Sequence, residues 1–85
     1  MSYATVRWMD SMVVKGEHDV EAVEAMQAAR METAGHLAAL GKLVVVIAQD
    51  VVRCGDEPLR YRNLIVIPRE CILEIRVMNE GPVLT

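Results

Sequence analysis

The chain of 85 residues carries a net charge of −3 and is 53% hydrophobic, a size that allows one domain and no more. It lacks the basic excess that dominates nucleic-acid affinity, so we do not expect nucleic acid among its partners. The longest apolar run, residues 43–48, is too short to span a bilayer, and the N-terminus lacks the pattern of a signal peptide. We therefore expect a cytoplasmic protein.

The first predicted element covers residues 3–15, where apolar and polar side chains alternate with a period of two, as in a half-buried strand. Asp10 and Ser11 interrupt this alternation. Two interpretations remain open: one long strand, or a hairpin that turns at these two residues. Gly16 ends the element before a change of pattern.

The second predicted element is a long helix over residues 19–40. Asp19 is a suitable N-cap, a mostly apolar stripe follows at helical spacing, and Gly41 fits the position just after a helix. Gly35 would lie inside this helix at a cost of about 1 kcal/mol relative to alanine. The many alanines leave a small surface that suits close contact with another backbone, although alanine is also the best helix former.

Three strands separated by turns are predicted in the second half of the chain: residues 42–54, 59–67 and 71–78. Both faces of the first are apolar over residues 43–48, so we expect it to be central and covered on both sides. Pro68 cannot donate an amide hydrogen bond and ends the pairing of its strand. Residues 68–70 are therefore expected at the tip of a hairpin between the last two strands.

Together these elements predict a single α+β domain over residues 1–85 with the order β-α-β-β-β. The long helix is expected to pack across one face of a small antiparallel sheet, and residues 79–85 are expected to form a loose tail. A chain this short buries only about 60% of the surface that its unfolded form exposes. Its apolar excess suggests that another subunit covers part of the surface, so we expect a homo-oligomer rather than a well-filled monomer.

No self-contained catalytic machinery is visible in the sequence. The two serines lie outside a nucleophile elbow, the five glycines form no phosphate-binding loop, and we expect neither a metal ion nor a cofactor. Cys54 and Cys71 lack the spacing of a disulfide framework or a zinc site and are interpreted as reduced, mostly buried thiols. A small enzyme with a site shared between subunits, using His18 or His36, stays open as a third possibility.

The candidate binding residues are Arg60, Tyr61, Arg62 and Arg69. On a strand, Arg60 and Arg62 share one face and Tyr61 takes the other. Arg69 is expected at the hairpin tip, and pairing across the preceding turn would bring Arg53 near Arg60. Repeated around a ring, such a basic patch would bind RNA or another anionic ligand. The alternative is that these arginines only face solvent.

Residues 65–75, IVIPRECILEI, resemble the second motif of Sm-like RNA-binding proteins in the spacing of their apolar residues. The matching positions are Ile65, Ile67, Ile72 and Ile75. Pro68 and Arg69 stand where that motif has arginine and glycine, and Cys71 stands at a polar position. The resemblance implies a bent antiparallel sheet preceded by a helix, in an RNA-binding ring.

The function that we expect from the sequence is binding. The chain is interpreted as a homo-oligomeric module that holds a small molecule or a protein partner at a helix–sheet or subunit interface. An Sm-like RNA-binding ring that uses the arginine and tyrosine patch is the alternative, and the enzyme with a shared site is third.

Overall fold

The computed structural model describes residues 2–79 as one antiparallel sheet with a short helix in a long connection. In chain order the elements are β1 (Ser2–Asp10), α1 (Val20–Glu24), β2 (Ala29–Leu40), β3 (Val44–Val52), β4 (Arg60–Pro68) and β5 (Ile72–Asn79). A 3-10 turn, Arg69–Cys71, joins β4 to β5. Among residues 2–79, no helix is long and apolar enough to cross a membrane.

The predicted α+β fold with a long helix on the sheet is wrong, because most of the predicted helix is the strand β2. Residues 29–40 satisfy two periodicities at once. Read with a period of two, Thr33 and Gly35 stand opposite the buried Val6 and Ala4 of β1. Pairing with β1 satisfies the backbone of this segment and overrides the high helix propensity of its alanines.

Only the start of the predicted helix is confirmed. Asp19 is its N-cap, and the Asp19 carboxylate accepts a hydrogen bond of 2.8 Å from the backbone N–H of Ala22. The helix ends at Glu24, and every residue from 11 to 28 is exposed. A short exposed helix gains nothing from tertiary packing, which supplies most of the stability of helices in proteins.

The sheet has the strand order β4-β3-β2-β1-β5, so β4 and β5 lie at opposite edges and do not pair. The predicted hairpin between them is therefore wrong, although Pro68 does end β4. The 3-10 turn between these strands spans only about 8 Å, whereas the edges of a flat five-stranded sheet lie about 19 Å apart. The sheet must curl strongly to bring Pro68 close to Ile72.

The small core lies inside this curl. Its buried residues are Ala4, Val6, Val45, Ile47 and Ile67, against which Trp8, Leu37, Ile72 and Ile75 pack. Trp8 is held in place because its indole N–H donates a hydrogen bond of 3.0 Å to the hydroxyl of Thr33. The sequence supplies no phenylalanine to fill a larger interior.

β2 bends because it pairs with two different neighbours along its length. Its residues 29–36 pair with β1, whereas its pairing with β3 begins only at His36, opposite Ala48. Before His36, β2 follows β1 and separates from β3, so that β2 and β3 form a fork that opens at the pair of His36 and Ala48. At the vertex, a Cβ on Gly35 would lie 2.7 Å from the carbonyl oxygen of Ala48, so only glycine fits without displacing a strand.

The predicted bounds of the strands and of the tail agree with the structure only in part. The strands predicted at 42–54, 59–67 and 71–78 are confirmed within two residues. Residues 3–15 are neither one strand nor a hairpin, because β1 ends at Asp10. The loose tail falls mostly on residues 80–85, which lie outside the described part of the chain, and Asn79 belongs to β5.

Candidate functional site

The structure does not gather the four predicted binding residues into one patch. Arg60, Tyr61 and Arg62 lie at the start of β4, whereas Arg69 follows its end. An extended strand separates Arg69 from these three residues by about 23–30 Å. The register sets Arg60 opposite Val52, which places the neighbouring Arg53 at the same end of the sheet, as expected.

Acidic side chains accompany the arginines at the start of β4. Arg62 stands directly opposite Asp50, and Arg60 forms an ion pair of 3.6 Å with Glu57. Both members of that ion pair are 64% exposed, so it contributes at most about 1 kcal/mol. These carboxylates offset part of the positive potential that a phosphate backbone would need.

Arg69 has a structural contact. Its side-chain Nε donates a hydrogen bond of 2.8 Å to the carbonyl oxygen of Gly41, and its backbone N–H donates one of 2.9 Å to the carbonyl of Leu43. Both acceptors belong to the turn between β2 and β3. Arg69 therefore ties the corner between β4 and β5 to the neighbouring turn, a role that the sequence did not suggest.

Asn63 divides β4 into a charged part and an apolar part. Its φ of 58° is the left-handed conformation that asparagine tolerates better than most residues. The Asn63 side-chain amide holds this kink by donating a hydrogen bond of 3.0 Å to Asp50. Arginines lie before the kink, and the run from Leu64 to Ile67 lies after it without a single charge.

The apolar part of β4 is an uncovered edge. Because Arg69 donates to Leu43, the alternation of an antiparallel ladder makes Ile65 and Ile67 the residues that bond to β3. The N–H groups of Leu64 and Val66 therefore point away from the sheet. Their side chains are 51% and 56% exposed. We name this surface, residues 64–67 with their outward backbone groups, the β4 edge.

A cleft of about 470 Å³ adjoins the β4 edge in the fork between β2 and β3. Its walls combine the apolar Ala34, Ile47, Leu64 and Ile65 with the polar Thr33, Gln49 and Asn63. None of these side chains carries a charge, so the cleft suits apolar side chains and uncharged polar groups. It is continuous with the β4 edge through Leu64 and Ile65.

The histidines and cysteines of residues 2–79 lie in different parts of the sheet and its connections. No group of three or more histidine, cysteine or acidic residues there could hold a metal ion. His18 bonds to the carbonyl of Lys15, whereas His36 lies in β2 beside Tyr3, with 4.5 Å between ring centroids. The prediction of mostly buried thiols is wrong for Cys54, which is exposed in the turn after β3. Cys71, the last residue of the 3-10 turn, is half-buried.

The sequence missed the β4 edge, although one signal was present. The run LIVI at 64–67 is apolar on both faces, which is typical of a strand that is covered on both sides. At the edge of the sheet, the side chains of Leu64 and Val66 stay exposed instead. No protein-family model matches the chain, and no curated protein or solved structure matches it significantly.

Proposed function

We propose that the protein is a cytoplasmic, self-associating interaction module whose subunit interface is the β4 edge. The observation that carries the proposal is the run of four uncharged apolar residues at this free edge. Natural proteins protect free edges with charges, prolines or bulges, because unpaired N–H and C=O groups recruit further strands. Here Asn63 and Pro68 bound the run, and nothing inside it prevents pairing.

The total exposed surface also supports association. The chain exposes 6868 Å², whereas a compact monomer of 9.5 kDa exposes about 5000 Å². A standard interface removes about 800 Å² from each partner. The exposed residues 11–28 contribute to the excess of about 1800 Å², which is larger than the area that one such interface removes from each partner.

Sedimentation velocity over a range of concentrations tests the proposal with two matched variants. Val66→Lys places a charge on the β4 edge, and Met78→Lys places the same charge on β5 at nearly equal exposure, 56% against 55%. We expect Val66→Lys to weaken self-association at least about tenfold, or 1.4 kcal/mol, and Met78→Lys to leave it unchanged. A wild-type monomer at all concentrations would refute the proposal.

The RNA-binding ring remains the alternative function. The bent antiparallel sheet agrees with what the Sm-like resemblance implies. Acidic residues beside Arg60 and Arg62 reduce the positive charge available to bind phosphate. Salt-dependent retention of RNA, lost on replacing Arg60 and Arg62 by glutamine, would favour this alternative.

A further inference from the structure

The connection between β1 and β2 is an arm of 18 residues, 11–28, all of which are exposed. Its hydrogen bonds are local: His18 to Lys15, and Ala22 to Asp19. Six large apolar side chains are nevertheless exposed along it: Met12, Val13, Val14, Val20, Val23 and Met26. Apolar side chains in such number along one exposed segment are typical of a surface that docks elsewhere.

We propose that the arm of one copy adds as a strand to the β4 edge of a second copy. The inference rests on the proposed self-association and names the segment that completes it. Residues 11–15 have no regular structure of their own, so they can adopt an extended conformation. Met12 and Val14 then share one face, as Leu64 and Val66 do across the edge.

Charge complementarity selects an antiparallel orientation. The arm has one basic and four acidic side chains, a net charge of −3, whereas β4 has two arginines and no acidic residue. With Val14 opposite Leu64 and Met12 opposite Val66, the arm runs on toward Arg62 and Arg60. Glu17 and Asp19 then approach these arginines.

A parallel orientation would instead carry the acidic part of the arm away from Arg60 and Arg62 and past Pro68, where the charges of Arg69 and Glu70 cancel. Pairing with the arm also satisfies the outward N–H groups of Leu64 and Val66, for which residues 2–79 of the same chain supply no partner strand. Reciprocal exchange of two arms gives a closed dimer in which each copy both donates and receives a strand.

Disulfide trapping tests the register directly. Cys54 and Cys71 are first replaced by serine and alanine, and folding is checked by Trp8 fluorescence. One preparation then carries Val14→Cys and the other Leu64→Cys, and the two are mixed and oxidised. We expect a covalent dimer from this pair and none from the control pair of Val14→Cys with Met78→Cys. The combined Val14→Cys and Leu64→Cys variant should form dimers rather than a cross-linked monomer.

A second measurement separates failure of the arm from failure of the proposed function. The double variant Met12→Asp with Val14→Asp should weaken self-association about 100-fold, at roughly tenfold for each charge placed against an apolar edge. If Val66→Lys dissociates the protein but the arm variant does not, or if the cross-link forms within one chain, the arm proposal is overturned and the β4 interface stands. If Val66→Lys has no effect, both fall.

Discussion

Replacing Gly35 by alanine distinguishes the strand β2 from the helix that the sequence favours. In a helix this change would stabilise the protein by about 1 kcal/mol, because glycine is a poor helix former. In the structure, the added Cβ would lie 2.7 Å from the carbonyl oxygen of Ala48 and 2.8 Å from Cγ2 of Ile47. A helix therefore predicts that Gly35→Ala raises the free energy of unfolding, whereas the strand β2 predicts that it lowers it.

The magnitude follows from the shortfall in those distances. Non-bonded carbon atoms rest about 3.5–4.0 Å apart, so β2 and β3 must separate by roughly 0.8 Å where the fork begins. The obstacle at Ala48 is backbone and cannot rotate away. Overpacking of this kind lowers the free energy of unfolding by about 1–3 kcal/mol. Alanine also reduces the entropy of the unfolded chain relative to glycine, which raises the free energy of unfolding by about 0.4–1 kcal/mol. We expect a net destabilisation of about 1–2 kcal/mol.

Urea unfolding followed by Trp8 fluorescence measures this change, since Trp8 is the only tryptophan. Ala34→Val serves as the control, because it adds methyl groups at the neighbouring exposed position and should change stability by less than about 0.5 kcal/mol. An increase in stability for Gly35→Ala would refute the close approach of β2 and β3 at the fork.

Three further substitutions test the core and the arm. Ile67→Ala should lower the free energy of unfolding by about 2–5 kcal/mol because Ile67 is fully buried, whereas Ile65→Ala in the same strand should lower it clearly less in the dilute protein. Equal losses for the two variants in urea unfolding would contradict the assigned core. Thr33→Val should lower the free energy of unfolding by about 1–2 kcal/mol because it leaves the Trp8 indole N–H without an acceptor. An unchanged midpoint of urea unfolding would contradict that hydrogen bond. Asp19→Ala should lower helicity in the arm without shifting the thermal midpoint of the dilute protein, and a shift of several degrees would show that the arm packs on its own chain.

The limits of sequence reasoning are clearest in β2 and β4. The apolar run at 43–48 is a local signal, and it became a strand near the predicted position. Residues 29–40 carry helical and strand signals together, and only the presence of β1 as a partner decides between them. The pairing of β5 with β1 joins residues more than 60 positions apart, which no local pattern reveals.

The candidate site was reachable only in part. Arg60 and Arg62 do share the start of β4 as their spacing implies, but the position of Arg69 depends on the curl of the sheet. The kink at Asn63 depends on the hydrogen bond to Asp50 of β3, and the free edge after it depends on the position of β4 at the end of the strand order. That is a property of topology, and the sequence pattern there is the same for a covered strand and an exposed one.

Amide hydrogen exchange at several protein concentrations tests the central claim most directly. Ile65 and Ile67 bond to β3 within one chain, so their amides should be protected at every concentration. The amides of Leu64 and Val66 point outward and should become protected only as the protein associates. Fast exchange of Leu64 and Val66 at concentrations where the protein is oligomeric would show that the β4 edge is not the interface.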